Sequence, residues 1–586
     1  MTSDLDKKSC EKAVPELNQS FAELWKQCVR LTLPYWSLES RVKAWLLLFF
    51  VLLLIGANTA LSVTGTYVYN HMVTALSNKD AAAFAVTVQQ RFIIYAGTAL
   101  LQAYLTYSVF LLALNWRQWL TKYFLRGYMQ NRAFFKINSE AGIDNPDERM
   151  SEDIENFTLR LSDLISVFID ALVQLFSYGF VLYQICAPLL GATVACAWIS
   201  IFATWLLGRR LISIQFQQRK KEADFRFGLI HMRTQAEPIA LYKGAPYVLK
   251  GMMQRFRTLV ENNLLLLRTT RTLELFTRNY EWMPVMLVPQ LFLLHSLLRG
   301  HLSLGDYTQA ESAFAIVCFA LSRPVSMFTS LAEFSAMVRR LAELQARLSR
   351  KSESTSPSSQ ITMIEGDRIE LRDFSLMTPD RNRLLISGLS FRINRGQSLA
   401  VVGPTGSGKS SLLRAISGLW TEGSGVVVCP AVRHLLFLPQ KPYLIPGSLR
   451  EQLAFPKSEY EYSDDVLVSA LGQVNLNSLL EQQGGLDSAK PWTKILSPGQ
   501  QQLLSIVRAT LFNPEFVFLD ECTSALDLED GKRVYELIKK RRLSFLSICH
   551  AKELLPYHDF VLELKGDSSW SLSSFQEYLT LKGLEP

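Results

Sequence analysis

From Phe21 the apolar residues Phe21, Leu24, Trp25, Cys28 and Leu31 recur at helical spacing, with Glu23, Lys26, Gln27 and Arg30 between them. This pattern predicts an amphipathic helix lying at a membrane interface and stopped by Pro34 in "PYW". Crossing a bilayer takes a run of about 20 apolar residues. Six such runs follow, at about 44–68, 92–114, 164–186, 189–207, 275–298 and 307–331. Little but Ala187 and Pro188 separates the third from the fourth, which predicts a tight hairpin, and "RGHLSLG" joins the fifth to the sixth.

The polar segments between these runs carry the charge. Arg117, Lys122, Arg126, Arg132 and Lys136 lie between runs two and three, and Arg209, Arg210, Arg219, Lys220, Lys221 and Arg226 between four and five. Basic residues concentrate on the cytoplasmic side of membrane proteins, so both segments and both termini are expected there. The segments are too long and too periodic for plain loops; the spans are expected to continue as helices beyond the membrane. Pro284, Pro289 and Pro324 are expected to kink spans five and six. Residues 1–20 mix acids and bases without an apolar core, match neither a secretory signal nor a transit peptide, and predict a disordered tail. After a membrane domain over 21–345, the Ser-rich stretch 346–360 with Pro357 reads as a linker. From 361 to 586 the pattern is that of the short strands and helices of a soluble α/β domain.

Composition supports the membrane reading: 49% of the 586 residues are hydrophobic and the mean hydropathy is positive. The formal charge of +8 flanks apolar runs without an aromatic-basic stripe, so nucleic acid is not indicated as a partner. Eight cysteines are scattered without a CxxC pair, which indicates neither a zinc site nor a disulfide framework.

Candidate chemistry is concentrated in the soluble domain. "LAVVGPTGSGKSSLL" sets Gly403, Pro404, Thr405, Gly406, Ser407, Gly408, Lys409, Ser410 and Ser411 between an apolar strand and an apolar helix. In that context glycines let backbone N–H groups wrap phosphates, Lys409 reaches the β- and γ-phosphates, and the Ser410 hydroxyl ligates Mg²⁺. ATP with Mg²⁺ is therefore the expected ligand. "FVFLDE" supplies a buried strand with Asp520 at the Mg²⁺ shell and Glu521 beside it as general base for the attacking water.

Gln440 in "LPQKPY", Ser497, Gly499 and Gln500 in "LSPGQ", Asp527 in "FVFLDECTSALD" and His550 in "SICH" follow that loop. Their order and spacing resemble the ATP-binding cassette of ABC transporters. The resemblance implies an exporter-type fold, a polytopic α-helical membrane domain of six spans followed by an α/β P-loop cassette. It also implies ATP hydrolysis, with Glu521, His550 and Gln440 catalytic and Ser410, Gln440 and Asp520 around the metal. Two cassettes would close head to tail, so that Ser497, Gly499 and Gln500 of one chain meet the γ-phosphate held by the Lys409 loop of the other, and Asp527 counts among the ATP-binding positions. One cassette and six spans per chain imply a half-transporter working in the lipid bilayer as a homodimer.

"RAISGLW", "FLPQKPYLIPGSLREQLAFP" and "NPDERMSEDIENF" resemble subfamily D, which includes peroxisomal acyl-CoA carriers, a lysosomal cobalamin transporter and bacterial relatives. "PYW", "ALSNKDAAAF" and "NWRQWLT" resemble the bacterial members whose membrane half is related to peptide-uptake proteins; a bacterial plasma membrane is the default location, with a thylakoid or organelle membrane as the alternative. "QAEPIALYKG" resembles the subfamily's cytoplasmic motif, in which Glu237 is expected to couple membrane helices to the cassette. The implied cargo is cobalamin or another hydrophilic or amphiphilic solute or peptide, or a fatty acyl compound. An ATPase that gates a partner without moving cargo is the alternative.

Three positions depart from the family pattern. Pro498 replaces a glycine of the signature, Leu503 stands where arginine is common, and the position expected to stack on adenine falls near Met377 and Thr378, with Phe374 as a weak substitute. Ionisable residues inside spans are costly and default to functional candidates. Asp170, Arg278, Glu281, Glu311 and Arg323 are the candidates for the transport path, with Arg278 and Glu281 close enough on span five to pair.

Overall fold

The computed structural model describes residues 21–37, 41–139, 145–326, 328–349 and 361–583. The tail predicted over 1–20 lies outside them. The chain divides into two compact units, Met1–Lys351 and Ser352–Pro586.

The first unit is helical. Helix α1, Phe21–Ser37, is amphipathic, but Pro34 does not stop it. Tyr35, fully buried, stacks on Trp116 at 5.0 Å and donates its hydroxyl to Asn115 Oδ1 at 3.0 Å, so packing holds the turn that the local sequence would release. Helices α2 (Arg41–Ser77) and α3 (Ala81–Met129) form an antiparallel hairpin. Asp80 caps α3 by accepting the Ala82 and Ala83 N–H groups at 3.1 and 3.0 Å.

Helix α4 occupies Ile154–Thr234 but breaks at Cys186 (φ −156°, ψ 91°), where Pro188 removes a backbone donor. Leu190 packs 3.8 Å from where a Cβ on Gly179 would lie, which a straight helix could not allow; the chain reverses here, as the Ala187–Pro188 pair predicts. Helix α5 (Ala245–Leu298) runs through Pro284 and Pro289 as one element, α6 spans Leu304–Ser326, and α7 spans Phe328–Ser349. The first four residues of the stretch 346–360 therefore belong to a helix.

Among the described residues, three helices are long and apolar enough to cross a membrane, Arg41–Ser77, Ala81–Met129 and Pro146–Ile199, and Met283–Leu298 is a shorter apolar stretch. At 1.5 Å per residue α5 is about 80 Å long, well beyond the roughly 30 Å of a hydrocarbon core. Its polar half pairs with the end of α4: Asn262 Nδ2 donates to Gln218 Oε1 at 2.8 Å and Arg255 Nη1 to the Asp224 carbonyl at 3.2 Å. This hairpin ends in the short helix Ala236–Leu241, where Glu237 is exposed beside Leu241, Tyr242 and Tyr247.

The second unit is α/β. Its larger sheet has the order β12-β11-β4-β10-β9-β6. Here β4 is Ser398–Val402, β6 Leu435–Leu438, β9 Phe516–Asp520, β10 Ser544–Ile548, β11 Phe560–Leu564 and β12 Trp570–Ser574. All neighbours pair in parallel except β11 with β12. A second sheet has the order β1-β5-β2-β3, from Thr362–Glu365, Gly423–Cys429, Ile369–Met377 and Leu384–Ile393. Gly447–Ser448 and Ala489–Lys490 form a short pair, β7 and β8. Strands β4, β9 and β10 are buried almost throughout, as parallel strands covered on both faces must be, which explains their unbroken apolar runs.

Candidate nucleotide site

In a parallel sheet the carboxyl ends of adjacent strands open onto one edge, where ligands bind. Ile548 pairs with Val401 and with Asp520, so the ends of β4, β10 and β9 lie side by side. Three sequence-distant motifs leave these ends: the Lys409 loop from β4, Glu521 from β9 and His550 from β10.

The loop 403–408 leads into helix α8, Lys409–Ile416. Gly406 and Gly408 have φ of +79° and +97°, a region that a side chain would strain. Lys409, 7% exposed, folds its ammonium back onto the carbonyls of Gly403 and Pro404 at 2.8 and 2.9 Å. Burial pulls its pKa down, against the pull of Glu521 and Asp520. Ser407 Oγ is buried without a hydrogen-bond partner. An orphaned hydroxyl and a lysine satisfied only by its own loop fit a site built around phosphate, since phosphate oxygens would take both donors. Thr405 is exposed and Ser411 half-buried at the same place.

Ser410 Oγ donates to Asp520 Oδ1 at 3.0 Å. Burial raises the Asp520 pKa, with the Ser410 hydrogen bond working the other way. These are two hard oxygen donors, as Mg²⁺ requires, and Mg²⁺ takes its other ligands from phosphate and water. Glu521 follows at φ +50°, a left-handed conformation costing about 1–3 kcal/mol in a non-glycine residue and tolerated where surroundings enforce it. Its carboxylate is held on both sides: Gln440 Nε2 donates to Oε2 at 2.7 Å, and His550 Nε2 lies 2.8 Å from Oε1. The three predicted catalytic residues thus meet, but Gln440 is bound to Glu521 rather than to Ser410 and Asp520.

Ser497, Gly499 and Gln500 lie elsewhere, on the first turn of helix α9, Pro498–Phe512. A capping box builds this turn: Ser497 Oγ accepts the Gln500 N–H at 3.2 Å, and Gln500 Oε1 accepts the Ser497 N–H at 3.0 Å. Pro498 takes the first helical position, where its missing N–H is not needed by the helix. Among the described residues none of the three hydrogen-bonds the Lys409 loop. Asp527 caps helix α10, Leu528–Lys540, by accepting the Asp530 N–H at 2.8 Å.

Two residues in this unit have roles that sequence reasoning missed. Arg508 is 6% exposed and donates to the carbonyls of Gln452 and Tyr443, both at 2.6 Å, which ties α9 to the chain after Gln440; burial brings its pKa down to about 10. Gln502 is 3% exposed and bonded to the segment after Glu521. Only their burial marks them, and burial is not visible in a charge or an amide on a page of sequence. Phe374 is corrected: it is fully buried in the core of the second unit and cannot stack on a base. Met377 and Thr378 place no ring there; the Met377 carbonyl accepts Trp420 Nε1 at 2.9 Å, and Thr378 Oγ1 bonds Asp380 at 2.5 Å.

In the membrane unit, Asp170 is half-buried and accepts both Oδ contacts from Gln174 Nε2, at 3.0 and 2.9 Å, and Glu311 is half-buried on α6. The side chains of Arg278, Glu281 and Arg323 lie outside the described part of the structure.

Comparison with known proteins agrees with this architecture. Residues 31–289 match the ABC transporter transmembrane region 2, and residues 386–524 match the ABC transporter cassette. The chain is 35% identical to an uncharacterized ABC transporter ATP-binding protein of Synechocystis, over 92% of this chain and 83% of that one. It is 30% identical to the chloroplastic ABC transporter D family member 2 of Arabidopsis thaliana, over 94% and 87%. The mouse lysosomal cobalamin transporter of subfamily D is 29% identical over 96% and 97%. In fold it is similar to a bacterial Atm1-family ABC exporter with ATP bound, with a TM-score of 0.75, 16% identity, and coverage of 92% and 97%. A helical membrane domain, a phosphate loop beside an acidic strand end, and relatives matched along nearly their whole length lead to one statement: this chain belongs to the ABC transporters, as an ATP-hydrolysing membrane transporter with relatives in subfamily D.

Proposed function

We propose that two copies of this chain form a transporter with two composite ATP sites that moves a hydrophilic or amphiphilic solute of the cobalamin class across a bacterial plasma membrane. The cassettes and all termini face the cytoplasm in this reading. The observation that carries it is the separation of the site into halves. The Lys409 loop, Asp520, Glu521, Gln440 and His550 converge, whereas among the described residues the Ser497 turn makes no hydrogen bond to the Lys409 loop. A second copy, turned head to tail, supplies that turn.

Each residue then has a task. Lys409 leaves its own loop carbonyls for the phosphates, and Ser407 Oγ finds an acceptor there. Ser410 and Asp520 would hold Mg²⁺, which would offset phosphate charge and polarise the γ-phosphoryl group. Glu521 takes the proton of the attacking water, with its carboxylate oriented by Gln440 and His550. Ser497, Gly499 and Gln500 of the partner subunit's first α9 turn close the site from the other side. Glu237, on the tip of the α4–α5 hairpin, carries the closure to the spans. Asp170 and Glu311, with Arg278, Glu281 and Arg323, belong to the transport path. Polar contacts within the spans, Tyr67 to Gln184 at 3.2 Å and Asn58 to Gln102 at 3.3 Å, favour a hydrophilic cargo over bare hydrocarbon, and a relative named for cobalamin points the same way.

The test is ATP hydrolysis by the purified protein in lipid nanodiscs, with Glu521→Gln as blank, across cobalamin, short peptides and fatty acyl-CoA. Stimulation by cobalamin supports the proposal. Stimulation by acyl-CoA alone moves the cargo to the acyl class, and hydrolysis indifferent to all three favours an ATPase that gates a partner.

A further inference from the structure

Gln502 lies two residues beyond the Ser497–Gln500 turn and has none of the roles above. Its buried amide faces the segment after Glu521. Nε2 donates to Ser524 Oγ at 3.2 Å and lies 3.5 Å from the Glu521 carbonyl oxygen, while Oε1 accepts the Ala525 N–H at 3.0 Å. That segment is a tight turn of its own, with the Ser524 N–H donating to the Glu521 carbonyl at 3.0 Å and the Leu526 N–H to the Thr523 carbonyl at 3.2 Å. A second contact runs alongside. A Cβ on Gly499 would lie 3.0 Å from the Ala525 carbonyl oxygen and 3.5 Å from Leu526 Cδ2, so the first turn of α9 and the 521–526 segment approach closely.

We propose that Gln502 is a positioning residue that links the two ATP sites of the dimer. Through α9 it sets the Ser497–Gln500 turn offered to the partner's nucleotide, and through Ser524 and Ala525 it sets Glu521 beside its own. The proposal rests on the composite-site reading above. Its physical basis is that one side chain rooted in α9 bonds three groups of the 521–525 segment, the Glu521 carbonyl, the Ser524 hydroxyl and the Ala525 N–H, so the two segments cannot shift apart without breaking those hydrogen bonds. The strained left-handed conformation of Glu521 needs such outside support.

The experiment uses the full chain in nanodiscs and two readouts. Retention of radiolabelled ATP against excess unlabelled ATP, in the Glu521→Gln background, reports the signature turn closing on the partner's nucleotide. Single-turnover hydrolysis, with Glu521 intact, reports the catalytic segment. Gln502→Met keeps the length and removes the amide. It is expected to lower both retention and hydrolysis about ten-fold, while binding of a fluorescent ATP analogue and the unfolding temperature stay near wild type. Ser524→Ala, at an exposed position that folding tolerates, is expected to lower both about three-fold. Loss of only one readout in Gln502→Met, or losses explained by lost analogue binding, would overturn the link. Should Gln502→Met not fold, Ser524→Ala decides, and wild-type values in either readout overturn the proposal. Failure of Glu521→Gln alone to retain ATP overturns the composite-site reading itself, and is seen without touching Gln502.

Discussion

Acidification offers a quantitative test of the cassette's interior. His558 is 2% exposed, edge-on to Tyr535 and Phe545 at 5.2 and 5.1 Å. Nδ1 lies 3.2 Å from the Leu554 carbonyl and must donate to it, which leaves Nε2 to accept the Ser547 hydroxyl at 2.6 Å. Both nitrogens are used by the neutral ring, and a second proton would break the Ser547 contact inside an apolar core. Burial accordingly lowers the His558 pKa from 6.5 to about 4. The unfolded chain takes up a proton below pH 6.5 while the folded chain does not until about pH 4, so stability is full above 6.5 and falls between the two values. At 1.36 kcal/mol per pH unit the loss by pH 4.5 is roughly 2.5 kcal/mol. For a domain of this size that is a fall of roughly 5–10 °C in unfolding temperature. The assay is thermal unfolding of the full chain in nanodiscs from pH 7.5 to 4.5, wild type against His558→Gln, which keeps hydrogen-bonding capacity but cannot titrate. Other groups titrate equally in both proteins and cancel. Wild type should lose the extra 5–10 °C and the variant should not; parallel curves would refute the depressed pKa and its cause.

Three further outcomes are expected. Pro498→Gly frees the unfolded chain at the first position of α9 and should cost about 0.4–1 kcal/mol in thermal unfolding, with hydrolysis within a few-fold; a large gain in hydrolysis would mean that the absent N–H weakens the signature turn. Gly305→Ala would place a Cβ 2.2 Å from Asn70 Oδ1 and 2.3 Å from Thr74 Oγ1. It should therefore push α2 from α6 and lower thermal stability by about 1–3 kcal/mol, and unchanged unfolding would refute that close approach. Asp170→Asn removes a charge from the middle of a span, and the ratio of cargo-stimulated to basal hydrolysis should fall several-fold; an unaltered ratio would remove Asp170 from the transport path.

How much of this could be read from the chain alone depended on the range of the interactions involved. The phosphate loop, the acidic strand end and the apolar runs are local patterns, written in a dozen or so adjacent residues, and the α/β cassette and helical membrane domain follow from them. The Ala187–Pro188 hairpin was equally local, because a missing donor and a fixed φ break a helix whatever surrounds it. Pro34 shows the limit. The same rule predicts a stop there, yet Tyr35 stacked on Trp116 outweighs it, and that ring comes from a different helix. Phe374 shows it again, since an aromatic residue near an expected base contact can as well be core, and only the sheet packing makes it so.

The amino-acid sequence by itself singled out the candidates for binding phosphate, holding Mg²⁺ and activating water, because those chemistries require particular side chains at particular spacings. Only the tertiary structure decided that Gln440 and His550 grip Glu521 from opposite sides, that Glu521 bends left-handed, and that Gln502 ties its turn to α9. The physical reason is that these contacts join residues from 19 to 81 positions apart, through strand ends that the parallel sheet brings together. Hydrogen bonds of that kind exist only once the core has set the strands in register.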